Sequence, residues 1–137
     1  MSSLAAVDLQ AALTAALEPM GPRAGATRGA PFESKRVLHR GFRTEIGVWE
    51  VTEGTFPARK DGTCELMQFI AGRGTITDEN GVTRIEPGVV MFTPDGWSGI
   101  WDVEEPIRKT YAVNETRIRL RGLARALWLT LKEKRRR

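Results

Sequence analysis

GVVMFTPDGWSG, residues 88–99, is the stretch on which the fold turns. Val89 to Thr93 pairs two β-branched valines with large apolar neighbours, a composition that suits a pleated, half-buried strand. Pro94-Asp95-Gly96 then turns the chain, as Glu86-Pro87-Gly88 does before it. A strand held between two turns within a dozen residues is the texture of an all-β sheet.

The same rhythm extends in both directions. Upstream, Gly47 to Thr52 and Glu65 to Ile70 read as strands. Gly74 to Thr77 and Val82 to Ile85 flank Asn80-Gly81, a dipeptide suited to the positive φ angles of a tight hairpin. Downstream, Ile100 to Val103 and Ile107 to Val113 complete the set. Short strands at such intervals predict an all-β sandwich or barrel over residues 32–113. Outside it, Ser3 is placed to cap a helix carrying Leu4, Val7, Ala11, Ala15 and Leu17. Gly21-Pro22 closes that helix, and residues 21–31 read as a linker, so 1–31 is expected to be a helix and linker. Residues 114–137 form a basic amphipathic segment, with Ile118, Leu120, Leu123, Leu127, Trp128 and Leu131 on one helical face. That face is expected to pack on the barrel or on a partner subunit; the competing reading is a basic surface for anionic lipid or nucleic acid.

Composition narrows the function classes. The 137 residues suit one domain, with 41% hydrophobic and 28% charged residues. No run of about 18 apolar residues exists, so no membrane span is expected. The N-terminus lacks a basic flank and does not read as a signal peptide. One cysteine, Cys64, leaves no intrachain disulfide and fits a reducing, cytoplasmic setting. The net charge of +4 divides unevenly: residues 1–113 carry 12 Lys/Arg and 15 Asp/Glu, and residues 114–137 carry 9 and 2. The body is therefore acidic, and neither nucleic acid nor membrane is expected as its partner.

Two spacings tie these strands to a known family. Glu65-LMQFIA-Gly72 is a glutamate, six residues and a glycine. Gly88-VVMFT-Pro94-Asp95-Gly96 is a glycine, five residues, a proline, one residue and a glycine. Both resemble the motifs of the cupin superfamily. GVWEVTEG (47–54), ITDENG (76–81) and PDGWSGIWDVEEPIRKTY (94–111) are most similar to the small single-domain cupins related to ureidoglycine aminohydrolase and the ethanolamine-utilisation cupin. The resemblance implies an all-β, jelly-roll-like cupin barrel with short N-terminal and C-terminal helices, a homodimer, and a small-molecule ligand in the barrel mouth. It also implies metal-ligating histidines, and those are missing. Ala58, Arg59, Lys60 and Asp61 stand where two histidines belong, and Gly99 where a third does. A transition-metal site needs about three nitrogen, sulfur or carboxylate donors. Only Glu65 of the set survives, so no metal and no cofactor are expected; a site rebuilt from Glu65, Asp61 and His39 is the strained alternative.

The remaining residues suggest metal-free chemistry or simple binding. Glu65 shares its strand face with Met67 and Phe69, so desolvation is expected to raise its pKa toward that of a general acid or base. The alternative is a structural ion pair with Arg59, Lys60 or Lys109. Lys109 and Tyr111 share one face of the last strand, Arg108 and Thr110 the other; the family resemblance favours the first pair as inward. Glu65, Lys109 and Tyr111 are thus the candidate catalytic set, with Arg59, Trp49, Met67, Phe69 and Trp101 as candidate ligand contacts. Gly99 is expected to leave room for substrate. Whether the chain is an acid–base enzyme (isomerase, lyase or hydrolase) or a non-catalytic ligand-binding cupin stays open, because indoles fill cores as readily as they line pockets.

Overall fold

A computed structural model describes residues 3–117 and 120–136. Helix α1 (Leu9–Thr14) precedes strands β1 (Glu18–Pro22), β2 (Arg28–Gly29), β3 (Phe32–Gly41), β4 (Thr44–Val51), β5 (Gly54–Arg59), β6 (Thr63–Asp78), β7 (Gly81–Ile85), β8 (Val90–Thr93) and β9 (Ser98–Glu115); helix α2 (Leu120–Arg136) follows. The strands pair antiparallel in one sheet that curls into a half-barrel of the cupin kind. Strand β9 is its spine. One edge of β9 pairs first with β5 and then with β4, and the other edge pairs with β6 along its length.

Two strand pairs expected from the sequence are single bent strands. Residues 65–70 and 74–77 both lie in β6, and 100–103 and 107–113 both lie in β9. The bend is made by register shifts between Phe69 and Gly74 against residues 105–108 of β9. Bulges of this kind kink a strand and strengthen its twist. Gly72 has φ +89°, and a Cβ there would fall on the Pro106 carbonyl oxygen. The glycine of the Glu-x6-Gly spacing thus lets two backbones touch where the sheet folds over. Alternation along β6 then turns Glu65, Met67 and Phe69 inward and leaves Leu66 and Gln68 outside. The expected hairpin is present one residue earlier than its dipeptide suggested: Asp78 pairs with Gly81, so Glu79 and Asn80 form the turn and Gly81, at φ +124°, opens β7.

The N-terminal reading needs correction. Asp8, not Ser3, caps α1, accepting a hydrogen bond from the Ala11 amide at 2.7 Å, and the helix is one and a half turns long. The competition is local: Asp8 is as good a cap as serine, and Leu4, 93% exposed, has nothing to pack on. Residues expected in the linker contribute β1 and β2, which pair with β3 and β5. Gly and Pro hid them, because β1 carries a register shift between Pro19 and Gly21 and β2 is two residues long. Within α2, Leu127, Trp128 and Leu131 are 55, 58 and 59% exposed, so of the two packings expected for this face, on the barrel or on a partner subunit, these residues do not make the first. Ile118 lies outside the described residues, as do the side chains of Leu120 and Leu123. Among the described residues no helix is long and apolar enough to cross a membrane.

Two glycines separate the sources of strain. Gly72→Ala is expected to cost about 3 kcal/mol, because a positive φ and a backbone collision add. Gly88→Ala, at φ +97° with open space around the added Cβ, is expected to cost only about 1 kcal/mol. Urea unfolding of both variants measures the difference, which should appear as a shifted midpoint at unchanged slope.

Candidate functional site

The site lies at the open mouth of the curl, where the N-terminal part of β6 meets β9 and the β5–β6 turn. Glu65, 4% exposed, points inward from β6. Its Oε2 lies 2.6 Å from Lys109 Nζ and its Oε1 2.5 Å from Lys60 Nζ. Lys109 reaches in from β9, whose buried positions Trp101, Val103, Ile107, Lys109 and Tyr111 all face the core. Lys60 comes from the turn between β5 and β6, itself pinned by backbone hydrogen bonds between Lys60 and both Trp97 and Gly96.

Beneath the charges the barrel is packed with aromatic rings. Trp101 meets Trp49 edge-on at 5.6 Å, Phe56 stacked at 5.8 Å and Phe69 at 5.9 Å. The Lys109 ammonium stands 4.2 Å from the Trp49 ring and 5.1 Å from that of Trp101, and donates to Met67 Sδ at 3.4 Å. An ammonium so placed trades hydration for one carboxylate, one thioether and two π faces. Trp49 Nε1 donates to Glu33 Oε1 at 3.0 Å, and Arg23 NH1 donates to the same oxygen at 3.0 Å.

Two connected spaces remain. An inner chamber of about 100 Å³ is lined by Lys60, Lys109, Trp49, Met67, Thr93 and Trp101 among others. An outer cleft of about 810 Å³ runs over Pro22, Ala24, Pro57, Thr77, Asp78 and Ile100. Arg23, Glu33, Ala58 and Arg59 border both. At roughly 30 Å³ per water, the chamber holds about three waters. A ligand of more than a few atoms has to lie in the cleft.

The electrostatics depart from the expectation for Glu65. Burial does push its carboxyl up, but the charges of Lys109 and Lys60 and their hydrogen bonds outweigh burial and hold it below its ordinary value. Glu65 is an ionised counter-ion rather than a carboxyl poised near neutrality. Lys109 moves the other way in energetic terms. Burial pulls it down, Glu65 offsets this only in part, and Lys60 adds to the depression. The two partners thus disagree on whether the pair gains from its charges. Two ammonium groups serve one carboxylate, so the carboxylate gains and the deeper ammonium does not.

Of the residues singled out in the sequence, Glu65, Lys109, Trp49, Met67, Phe69 and Trp101 converge here. Tyr111 faces inward but serves a second cluster. Its hydroxyl donates to Glu45 Oε2 at 2.8 Å, and burial followed by that hydrogen bond pushes the phenol well above its ordinary pKa. Gly47 makes room for its ring, since a Cβ there would meet the Tyr111 hydroxyl at 2.8 Å. Glu45 is also bound by Lys35 and Arg40; burial works against its charge, yet these hydrogen bonds bring its pKa to about 2. Arg59 is exposed on the rim. The space expected beside Gly99 is taken, because a Cβ there would meet Trp97 Cζ2 at 2.5 Å and the Thr77 carbonyl oxygen at 2.8 Å. Trp97 is held across Gly99 by its Nε1 donating to Asp78 at 2.9 Å. Arg23 and Glu33 were missed, as nothing in a Gly/Pro-rich stretch announced that it folds back over the mouth.

The residues present do not fit a divalent cation. Both oxygens of Glu65 are engaged by ammonium groups, and an entering cation would have to displace or deprotonate a lysine. Among the described residues, no three His, Cys, Asp or Glu side chains converge in a geometry that could hold a metal ion. His39 sits exposed on β3 opposite Ile46, Asp61 pairs with Arg117 at 2.9 Å, and neither joins Glu65.

Removing Glu65 strands Lys109 in the aromatic interior. Glu65→Gln is expected to lose about 3–5 kcal/mol, and adding Lys109→Met is expected to recover part of it, which a denaturation double-mutant cycle measures. The pH dependence follows the depressed carboxylates. Glu65 and Glu45 contribute stability that is present above pH 4.5 and is lost as pH falls through their folded values, near 2 for Glu45. Tyr111→Phe removes one hydrogen bond from Glu45, so its acid unfolding, followed by tryptophan fluorescence, should begin at higher pH than in the parent.

The chain matches the EutQ-like cupin domain family over residues 38–111, more than half its length. Among solved structures it is similar to a protein of unknown function from Pseudomonas syringae, with 27% identity and a TM-score of 0.68 over 79% of this chain. It spans only 46% of that chain. A putative ethanolamine utilization protein Q from Salmonella typhimurium aligns at 20% identity and a TM-score of 0.56, covering 71% of this chain and 79% of that one. The EutQ protein of Clostridium difficile aligns at 20% identity and 0.55, over 64% and 71% respectively. At such identities the last two speak for the fold alone. No curated protein matches. With both motifs inside the matched segment and the barrel around them, this chain belongs to the EutQ-like cupin domain family.

Proposed function

We propose that this cupin binds a small anionic molecule at its barrel mouth without a metal ion. The observation that supports it is the charge balance there. Around the inner chamber Arg23, Arg59, Lys60 and Lys109 face Glu33 and Glu65, an excess of two cationic groups, while the cleft of about 810 Å³ is balanced, with Arg23 and Arg59 against Glu33 and Asp78. The anionic end of the ligand meets Lys60 at the chamber entrance, and the remainder lies along Pro57, Ala58 and Ile100. Packing of the chamber floor by Trp49, Trp101 and Met67 favours binding over chemistry, since a substrate has little room to reach Glu65. The free Cys64 fits a reducing, cytoplasmic setting. The histidine ligands that an aminohydrolase of the ureidoglycine type would need are absent, with Ala58 to Asp61 and Gly99 in their places.

One observation favours a second, catalytic reading. Lys109 lines the chamber with its amine pKa depressed by burial, a property that recurs in catalytic bases. If the cupin is an acid–base enzyme, the proton moves through Lys109, with Glu65 holding its charge and Tyr111 engaged elsewhere by Glu45.

Calorimetric titration with acetate, citrate and inorganic phosphate at low salt tests the binding reading. At least one anion is expected to bind with an affinity that falls with ionic strength, and Arg59→Gln or Lys60→Gln should weaken it about tenfold, the equivalent of one charged hydrogen bond. No binding by any of the three, or binding indifferent to both substitutions, would overturn the proposal.

A further inference from the structure

Lys109 carries its amine into surroundings that suit the neutral form. Its side chain is 6% exposed, and Nζ lies over the Trp49 and Trp101 rings at 4.2 and 5.1 Å, with Met67 Sδ at 3.4 Å. Taking an ammonium out of water into such a nest is costly. The carboxylate beside it does not depend on that ammonium either. Glu65 Oε1 is held by Lys60 at 2.5 Å, so loss of the Lys109 proton leaves Glu65 paired. The triad then passes from one net positive charge to none. The amine is also within reach. Lys109 and Lys60 both line the chamber of about 100 Å³, and Arg23, Glu33, Ala58 and Arg59 join that chamber to the cleft. No other lysine shares this setting, since Lys35 is tied to Glu45 and Lys132 and Lys134 stand exposed on α2.

We propose that Lys109 is a nucleophile that forms an imine with a small 2-oxo acid. The inference rests on the reading that the mouth takes a small anion, and it adds which anion. Lys60 holds the carboxylate, which leaves the neighbouring carbonyl carbon to Lys109. Lys109 first releases a proton to water at the mouth. Its lone pair then forms a C–N bond to the carbonyl carbon, and one N–H proton moves to the oxygen. The C–O bond breaks, the hydroxyl takes up the released proton and leaves as water, and the nitrogen lone pair closes the C=N bond. The sum is an ammonium and a carbonyl giving a protonated imine and water, with no oxidant or reductant. The imine cation restores the charge that Glu65 and the two indole faces are placed to meet. Burial depresses the Lys109 amine and Lys60 adds to this, against the pull of Glu65. A desolvated lysine beside a second cation is a setting that activates amines toward carbonyls. A chamber with room for about three waters admits an acid of about two or three carbons.

Glyoxylate and pyruvate are the probes. The full-length protein is incubated with either at neutral pH and reduced with cyanoborohydride, which fixes an imine as a stable secondary amine. Peptide mass spectrometry then locates the adduct. The Lys109 peptide is expected to carry it at about ten times the level of any other lysine, the difference that one pKa unit makes in free amine. The charged groups facing Lys109 are Glu65, Lys60 and Glu33. Lys60→Gln leaves Glu65 with Lys109 as its one ammonium, so the pH of half-complete labelling should rise. Labelling spread evenly over the lysines, or a Lys109 pH profile that Lys60→Gln leaves in place, would overturn the proposal. Calorimetry with acetate, which has no oxo group, separates the two readings. Acetate bound without labelling of Lys109 overturns the imine and leaves anion binding standing; neither binding nor labelling overturns both.

Discussion

The ion triad at the barrel mouth constrains everything around it. A carboxylate that is 4% exposed is tolerable only if its charge is met nearby, because desolvating an isolated ion costs several kcal/mol. Glu65 is met twice, by Lys60 and Lys109. The three residues come from the β5–β6 turn, β6 and β9, so the ion contacts fasten exactly the elements whose separation defines the mouth. Lys109 enters a nest of indoles that would reject it without Glu65. The polar mouth and the aromatic floor are therefore one energetic unit.

That unit exists only because the sheet curls. In a flat sheet, the inward faces of β4, β5, β6 and β9 would lie side by side rather than facing one another. The bulges of β6 between Phe69 and Gly74, set against residues 105–108, supply the curl, and Gly72 and Gly74 remove Cβ atoms that would collide with the Pro106 and Asp102 carbonyl oxygens. The motif glycine and the motif glutamate thus do complementary work. One bends the sheet, and seven residues earlier the other fills the space so enclosed.

Strand composition and turn chemistry were enough to read the barrel, since β4, β7, β8 and both halves of β6 and β9 are rich in β-branched or aromatic residues and are set between Gly- and Pro-bearing turns. The inward placement of Glu65, Met67, Phe69 and Trp101 follows from the strand period of two. What the sequence concealed is of three physical kinds. Segments stabilised by tertiary pairing alone, β1 and β2, have no local signal. Asp8 and Ser3 are equal as caps until packing chooses between them. The sign of the Glu65 shift is set by how many cations reach it, and that number is a distance, not a pattern. Burial and opposite charge push a carboxyl in opposite senses; the sequence offered both, as a raised carboxyl or an ion pair with Arg59, Lys60 or Lys109, and the structure makes the pair with Lys60 and Lys109. Gly99 illustrates the same limit: a missing side chain reads as space, yet Trp97, bound to Asp78, fills it.

Lysines beside Glu65, in place of the histidines that the resemblance implies, have one electrostatic consequence. A bound divalent ion would place two positive charges beside Glu65. Lys60 and Lys109 place two there as well, fixed to the chain and each carrying donors where a metal carries open coordination positions. The mouth has the same count of positive charges without the means to polarise a ligand by direct coordination. An ammonium also differs from a metal in geometry. It holds an oxygen by a movable hydrogen bond and imposes no coordination shell, so selectivity must come from the walls. Those walls are the mixed apolar and polar sides of the outer cleft, where Pro57 and Ile100 face Thr77, Asp78 and Ser98. On the binding proposed above, such a site would recognise one end of its ligand by charge and the rest by shape, and would do so from the rim, where the chamber of about 100 Å³ opens to the larger cleft.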